Sequence, residues 1–391
     1  MNHKLSKFLG RISSAYSPPS PLASTSPRCY ASSSSPSKMS TSPRLALGGV
    51  SVAGGLYALY NFWPTQSQSS QIVQMNPDSE PIPHILPEAP PYNDKCIKIR
   101  YPEDKTKLKL TLYQYTTCPF CCKVRAFLDY FGISYDIVEV NSVFRKEIKW
   151  SPNYKKVPIL VVKTPQGDFL QLNDSTMIIS ALMTYLKEPS KNLKDIVECY
   201  PQVTNTDPSS GKSTIEIRNK YFIMHQNDSV NDKNLKEELK WRKWVDSVFV
   251  HRISPNVYRS LSESIEAFHW FDTAGNWKNV FNTFERQVVI YLGASVMWIL
   301  GKVLKKRHGL PDDVREAIYH EVNNYLSHVK KKGGSFGGGE VPDLADISFY
   351  GTLNSFEGCA AFQDVLSHTE LRQWFTKMKW AVSSRAGGSS I

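Results

Sequence analysis

Cys118-Pro119-Phe120-Cys121 stands between two stretches of different periodicity, and this placement constrains the fold more than any other feature. Before it, residues 107–115 (KLKLTLYQY) alternate, with Leu108, Leu110 and Leu112 on one side and Lys107, Lys109 and Thr111 on the other, which is the period of a strand. After it, Val124, Phe127, Leu128 and Phe131 recur at helical spacing, and Gly132 supplies the stop. Residues 134–140 (SYDIVEV) then read as a second strand. A C-x-x-C motif that opens the helix of a βαβ unit predicts a thioredoxin-like redox domain.

The chemistry favours that position. Only thiolate is nucleophilic, and the unpaired N–H groups and positive end of a helix stabilise it. Cys118, at the helix start, is the predicted nucleophile; Cys121, one turn in, is placed to resolve a mixed disulfide. Tyr115 lies three residues earlier, where its hydroxyl can approach the sulfur or a bound substrate. A structural zinc site would need a second Cys/His pair, and Cys199 and Cys359 stand alone, so no metal is expected. Cys122 reads as a packing or merely spare residue.

Two further segments suggest a ligand. Lys156-Val157-Pro158 precedes an apolar strand at 159–162, and the proline removes a ladder donor, leaving the backbone of Val157 to pair with a ligand. Asn173-Asp174-Ser175 precedes a helix with the apolar stripe Met177, Ile178, Ala181, Leu182 and Tyr185. Asp-Ser at a helix start is an ordinary cap, but it also offers N–H groups and a hydroxyl to a carboxylate and Asp174 to an ammonium. Together these suit glutathione, a peptide bearing both groups beside its thiol.

At this point a resemblance becomes specific. LTLYQYTTCPFCCKVRAFLDYFG, KKVPILVV and LNDSTMIISALMTYL, within residues 108–186, resemble the membrane-associated prostaglandin E synthase type 2 family of the glutathione-transferase superfamily. The likeness continues through LKWRKWVDSVFVHRISPNVYRS and PDLADISFYG. It implies an α/β thioredoxin-like, glutaredoxin-type domain at 96–187, a connector at 188–232 and an all-α glutathione-transferase-like domain at 233–385. It also implies an isomerase acting on a lipid endoperoxide, prostaglandin H2, with glutathione and with heme bound alongside it, in a homodimer. By motif, Tyr115, Cys118 and Cys121 would be catalytic. Val157, Pro158, Asp174, Ser175 and Phe120 would hold glutathione. The extra Cys122 departs from the pattern. Two other readings stay open: a general glutathione-dependent thiol-disulfide oxidoreductase, and a non-enzymatic heme- or glutathione-binding membrane adaptor.

The first hundred residues have a different character. Residues 1–44 hold fourteen serines, six basic residues and no acidic one, the composition of a disordered tail or an organellar transit peptide. Residues 45–63 (LALGGVSVAGGLYALYNFW) carry no charge and end in aromatics, as a single transmembrane helix would. Residues 64–95 are rich in Gln, Ser and Pro and read as a tether. Of the net charge of +11, six basic residues therefore belong to the tail, and no basic face for nucleic acid is expected. A mitochondrial membrane is favoured over a Golgi membrane with a cytosolic domain. The sequons at Asn173 and Asn227 bear on this choice, since a glycan on Asn173 would block the site.

In the second half, Gly211-Lys212-Ser213 lacks the earlier glycine of a phosphate loop, since position 206 is threonine. Trp241, Trp244, Val245 and Val248 share a helical face, which Ser254-Pro255 should interrupt. Residues 288–304 read as a buried helix rather than a second membrane span, because Lys302 lies inside them. Residues 314–329 are amphipathic, residues 333–339 read as a flexible glycine turn, and Asp343 with Asp346 predicts a capping box opening the final helix. The functional site is expected between the two domains.

Overall fold

The computed structural model describes residues 82–91, 96–206, 213–224 and 232–390. The basic tail, the anchor at 45–63 and most of the tether lie outside the described residues. A six-stranded sheet is built from β1 (Ile85–Leu86), β2 (Ile97–Ile99), β3 (Lys109–Gln114), β4 (Tyr135–Glu139), β5 (Ile159–Lys163) and β6 (Phe169–Asn173), in the order β1-β6-β5-β3-β4-β2. Only β3 and β4 run parallel, joined by α1 (Pro119–Tyr130), and the other neighbours are antiparallel. Leu110 and Leu112 of β3 are buried with Val124, Phe127 and Leu128 of α1, so the two periodicities of the sequence meet in one core. α2 (Ser175–Lys187) follows β6 and adds Met177, Ile178, Ala181 and Leu182 to that core. The thioredoxin-like α/β domain is thus present as expected.

The flanks hold more structure than their composition suggests. Residues 82–86, read as tether, dock on the sheet: β1 pairs with β6, and buried His84 lies 2.9 Å from the Tyr200 carbonyl through Nε2. The connector contains α3 (Leu193–Glu198) and a hairpin of β7 (Gln202–Thr206) and β8 (Ser213–Ile217). These elements are short and draw their order from docking, which leaves no periodic signal.

The helical part comprises α4 (Lys233–Trp244), α5 (Val250–Val257), α6 (Leu261–Ala274), α7 (Thr283–Arg307), α8 (Val314–Lys332), α9 (Leu344–Asn354), α10 (Ala360–His368) and α11 (Leu371–Ser383). A π turn, Val245–Phe249, joins α4 to α5, and Pro255 sits inside α5, which continues two residues beyond it. Proline here removes one hydrogen bond near a helix end, where the ladder is already running out. Trp241, Phe249, Tyr325 and Phe349 bring α4, α8 and α9 together in an aromatic core. α7 is only a third buried over its most apolar window, with Phe284, Tyr291, Leu292, Ile299 and Val303 exposed; among the described residues it alone is long and apolar enough to cross a membrane. The expectation of a buried helix therefore holds for one face, which packs on α6 through Ala294 and Ser264.

The capping box at Asp343 and Asp346 is present, but it opens α9, with α10 and α11 still to follow. The glycine turn before it is ordered: the N–H groups of Gly337 and Gly338 each donate to Asp346 at 2.9 Å. α9 lies directly against α1. A Cβ on Gly351 would stand 2.6 Å from the Lys123 Cα and 2.7 Å from the Cys122 carbonyl, so only glycine permits this approach.

Candidate active site

Cys118 is the N-cap of α1, with extended backbone (φ −76°, ψ 126°) and Pro119 as the first helical residue. No side chain caps this helix end, and the N–H groups of Phe120 and Cys121 reach the Cys118 sulfur instead. The hydrogen bond from the Cys121 thiol is the main cause holding the Cys118 thiol below its ordinary range; these N–H groups and the Arg125 guanidinium act the same way, against burial. Cys121 is fully buried, and burial together with the neighbouring sulfur pushes its own thiol up. Two chemically identical side chains are therefore shifted in opposite directions, Cys118 down and Cys121 up.

A buried polar layer supports the loop that presents Cys118. The Glu139 carboxylate accepts from the Thr116 N–H at 2.7 Å, the Thr116 hydroxyl at 2.8 Å and Gln114 Nε2 at 3.2 Å. Arg125 donates to Gln114 Oε1 at 2.7 Å and to the Thr116 carbonyl at 2.6 Å. Arg125 also donates to Cys122 Sγ at 3.1 Å, and burial pushes the Cys122 thiol up to about 11. Cys122 packs under the loop, the role read for it in the sequence.

Three tyrosines sit within electrostatic range of Cys118. Burial pushes Tyr115 up to about 12, with Arg145 opposing and both Cys118 and Cys121 adding to it. Tyr154, from the loop before β5, is raised by burial and then by Asp174, and it also faces Cys118 and Cys121. Tyr258, at the end of α5, is raised by burial, with Cys359 and Cys118 contributing. Tyr258 is the residue of the helical part whose hydroxyl feels the Cys118 charge. A second contact region lies nearby, where a cavity of about 260 Å³ is lined by Glu139, Asn141 and Glu147 on one side and Val280, Phe281 and Glu285 on the other.

The segments expected to hold a peptide thiol also come together. The Val157–Pro158 bond is cis and precedes β5, and the Val157 N–H has no partner among the described residues. Asp174 caps α2 from a strained backbone (φ 69°, ψ 124°), an unusual conformation for a non-glycine residue, and accepts from the Thr176 N–H at 2.8 Å. Ser175 follows at the first helical position, with its N–H at the open end of α2. Against the burial that would raise it, Lys220 holds the Asp174 carboxyl below its usual range, with Nζ 2.8 Å from Oδ2. Phe120 is half-buried beside the core, and Pro158 is buried. A free backbone donor, a helix N-terminus and an acidic side chain match the carbonyl, carboxylate and ammonium of glutathione. The Asn173 side chain is buried and donates to Gln202 Oε1 at 2.8 Å, so this sequon is taken up by the fold.

The glutaredoxin family model matches residues 110–164. Prostaglandin E synthase 2 of Danio rerio is 46% identical over 281 residues, covering 71% of this chain and 72% of that protein. The chain belongs to the prostaglandin E synthase 2 family. The Mus musculus member is 43% identical over 281 residues, covering 70% of this chain and 71% of its own length. A glutathione S-transferase III in apo form covers 71% of this chain and 95% of its own, at 15% identity and a TM-score of 0.38, a likeness too loose to carry an argument.

Sequence reasoning did not single out Arg125, Glu139, Tyr154, Lys220 or Tyr258. Arg125 falls on the face of α1 that its pattern marks as polar, and burial there follows from partners distant in sequence. Tyr154 stands three residues before Val157, and its nearness to the predicted backbone site is the one local signal it carries. Lys220 and Tyr258 carry no local signal at all.

Proposed function

We propose that the chain is a glutathione-binding, membrane-associated isomerase that converts prostaglandin H2 to prostaglandin E2. The observation that carries this reading is the Cys118 thiol, held below its ordinary range at an uncapped helix end by the Cys121 thiol. The Cys118 thiolate attacks one endoperoxide oxygen, so that an S–O bond forms as the O–O bond breaks. The released alkoxide takes a proton, for which Tyr115 is the donor in range. The Tyr115 phenolate so formed takes the proton from the carbon bearing the sulfur-bound oxygen; the carbonyl forms as the S–O bond breaks, which returns the thiolate and the neutral tyrosine. Electrons balance within the substrate, and no external oxidant is required. Glutathione, where bound, supplies a second thiol; Val157, Asp174 and Ser175 are the residues that would hold it. Heme rests on the resemblance alone. The anchor at 45–63 would tether this body to a membrane, with the mitochondrial one favoured by the acid-free tail.

The test is product analysis of the full-length chain with prostaglandin H2, with and without glutathione. Prostaglandin E2 should form with the wild type and fall to background with Cys118→Ser; full turnover by that variant would overturn the reading. Because Cys121 lies beside Cys118, thiol-disulfide exchange is the second reading. Isomerisation needs only Cys118, so Cys121→Ser should keep isomerase turnover, whereas reduction of a protein disulfide would lose it.

A further inference from the structure

Asp174 presents a difficulty for the ligand just proposed. A lone carboxylate attracts the ammonium of a γ-glutamyl group but repels the α-carboxylate on the same carbon. In this chain Asp174 is not alone, because Lys220 Nζ lies 2.8 Å from Oδ2. Both side chains are about one-quarter exposed, 24% for Lys220 and 27% for Asp174, so the pair is open to a ligand. The other lysine near this helix end, Lys123, is 2% exposed and is held by Asp246 and by Thr176 Oγ1 at 3.1 Å.

The lysine is also held in place. Its carbonyl accepts from Ser180 Oγ at 2.7 Å, one turn into α2. Arg242 of α4 donates to Ser180 Oγ at 2.7 Å and to the carbonyl of the next residue, Tyr221, at 2.8 Å. The Tyr221 hydroxyl donates to Asp246 at 3.0 Å. A buried network thus fixes the backbone at 220–221 against α2, so Lys220 faces the Asp174–Ser175 corner from a defined position.

We propose that Lys220 is a specificity-determining residue of the thiol-peptide site, forming with Asp174 a fixed pair that reads an amino-acid zwitterion. Without ligand, Lys220 neutralises Asp174. With ligand, the α-ammonium takes Asp174, and the α-carboxylate takes Lys220 together with the Ser175 N–H. The preferred ligands are thiols with a free γ-glutamyl group, whereas thiols lacking either charge of that group bind weakly. This rests on the glutathione reading above and adds to it the residue that selects the γ-glutamyl end.

The test uses the full-length chain and calorimetric titration with S-methylglutathione, an analogue whose γ-glutamyl α-carboxylate is an amide, and S-methyl-cysteinylglycine. Lys220→Gln should weaken S-methylglutathione by about tenfold or more, and Lys220→Arg should restore most of it. Binding of S-methyl-cysteinylglycine should be weak and unchanged by either substitution. Unchanged alkylation of Cys118 by iodoacetamide, a neutral probe, shows that the fold of the variant is intact. Equal affinity of wild type and Lys220→Gln for S-methylglutathione would overturn the inference. If the variant does not fold, the amide decides on the wild type alone: a loss of about tenfold supports the inference and equal affinity overturns it. Absence of any S-methylglutathione binding by the wild type would instead overturn the glutathione reading itself.

Discussion

The two helices that pack most closely across the molecule, α1 and α9, begin in opposite ways. At α9, Asp343 accepts from the N–H groups of Ala345 and Asp346, and Asp346 reaches back to the Asp343 N–H at 3.1 Å. Asp346 also receives the Tyr325 hydroxyl at 2.8 Å and is fully buried. Its N-terminal donors are used up within the protein. At α1, no side chain takes that role, and the N–H groups of Phe120 and Cys121 are left for the Cys118 sulfur. A capped helix start contributes stability; an uncapped one can hold an anion that reacts. α9 meets the first turn of α1 not at its sealed start but through Gly351, against Cys122 and Lys123.

The sharpest way to break this contrast is at the two ends themselves. Cys118→Ser should reduce isomerase turnover to background while changing unfolding free energy by no more than about 0.5 kcal/mol in denaturant titration. Asp346→Ala should do the reverse, costing about 3 kcal/mol or more, because it strands buried donors from Tyr325, Gly337, Gly338 and Asp343. Whatever folds should still bind glutathione. A fully stable Asp346→Ala protein that had lost glutathione binding would assign the wrong role to that end. Gly351→Ala probes the contact between the two helices; crowding the backbone at Lys123 and Cys122 should cost about 1–3 kcal/mol, read as a fall in thermal midpoint.

Much of this contrast was legible in the sequence because both helix starts are written locally. Cys118-Pro119 after an alternating strand, and Asp343 three residues before Asp346, signal their roles within a single turn. The same holds for Val157-Pro158 and Asp174-Ser175, each next to a strand or helix with a clear apolar period. What could not be read is whatever depends on contacts far along the chain. Glu139 meets Thr116 across the sheet, Lys220 meets Asp174 from the connector, and Tyr258 faces Cys118 from the helical part. Short docked elements such as β1 and the β7–β8 hairpin were missed for the same reason. The exposed face of α7 shows the converse limit: composition marks a helix as apolar but not how many of its sides are covered.

The central claim is that the Cys121 thiol and the open end of α1 together hold the Cys118 thiol below its ordinary range. It is tested most directly by the pH dependence of Cys118 alkylation with iodoacetamide, comparing wild type with Cys121→Ala. A lowered thiol pKa enlarges the thiolate fraction at neutral pH, so the rate should rise with a midpoint below the ordinary thiol value of about 8.5. Cys121→Ala leaves no donor in place of the Cys121 thiol and should move that midpoint upward. A wild-type midpoint at or above about 8.5, unmoved by Cys121→Ala, would contradict the account.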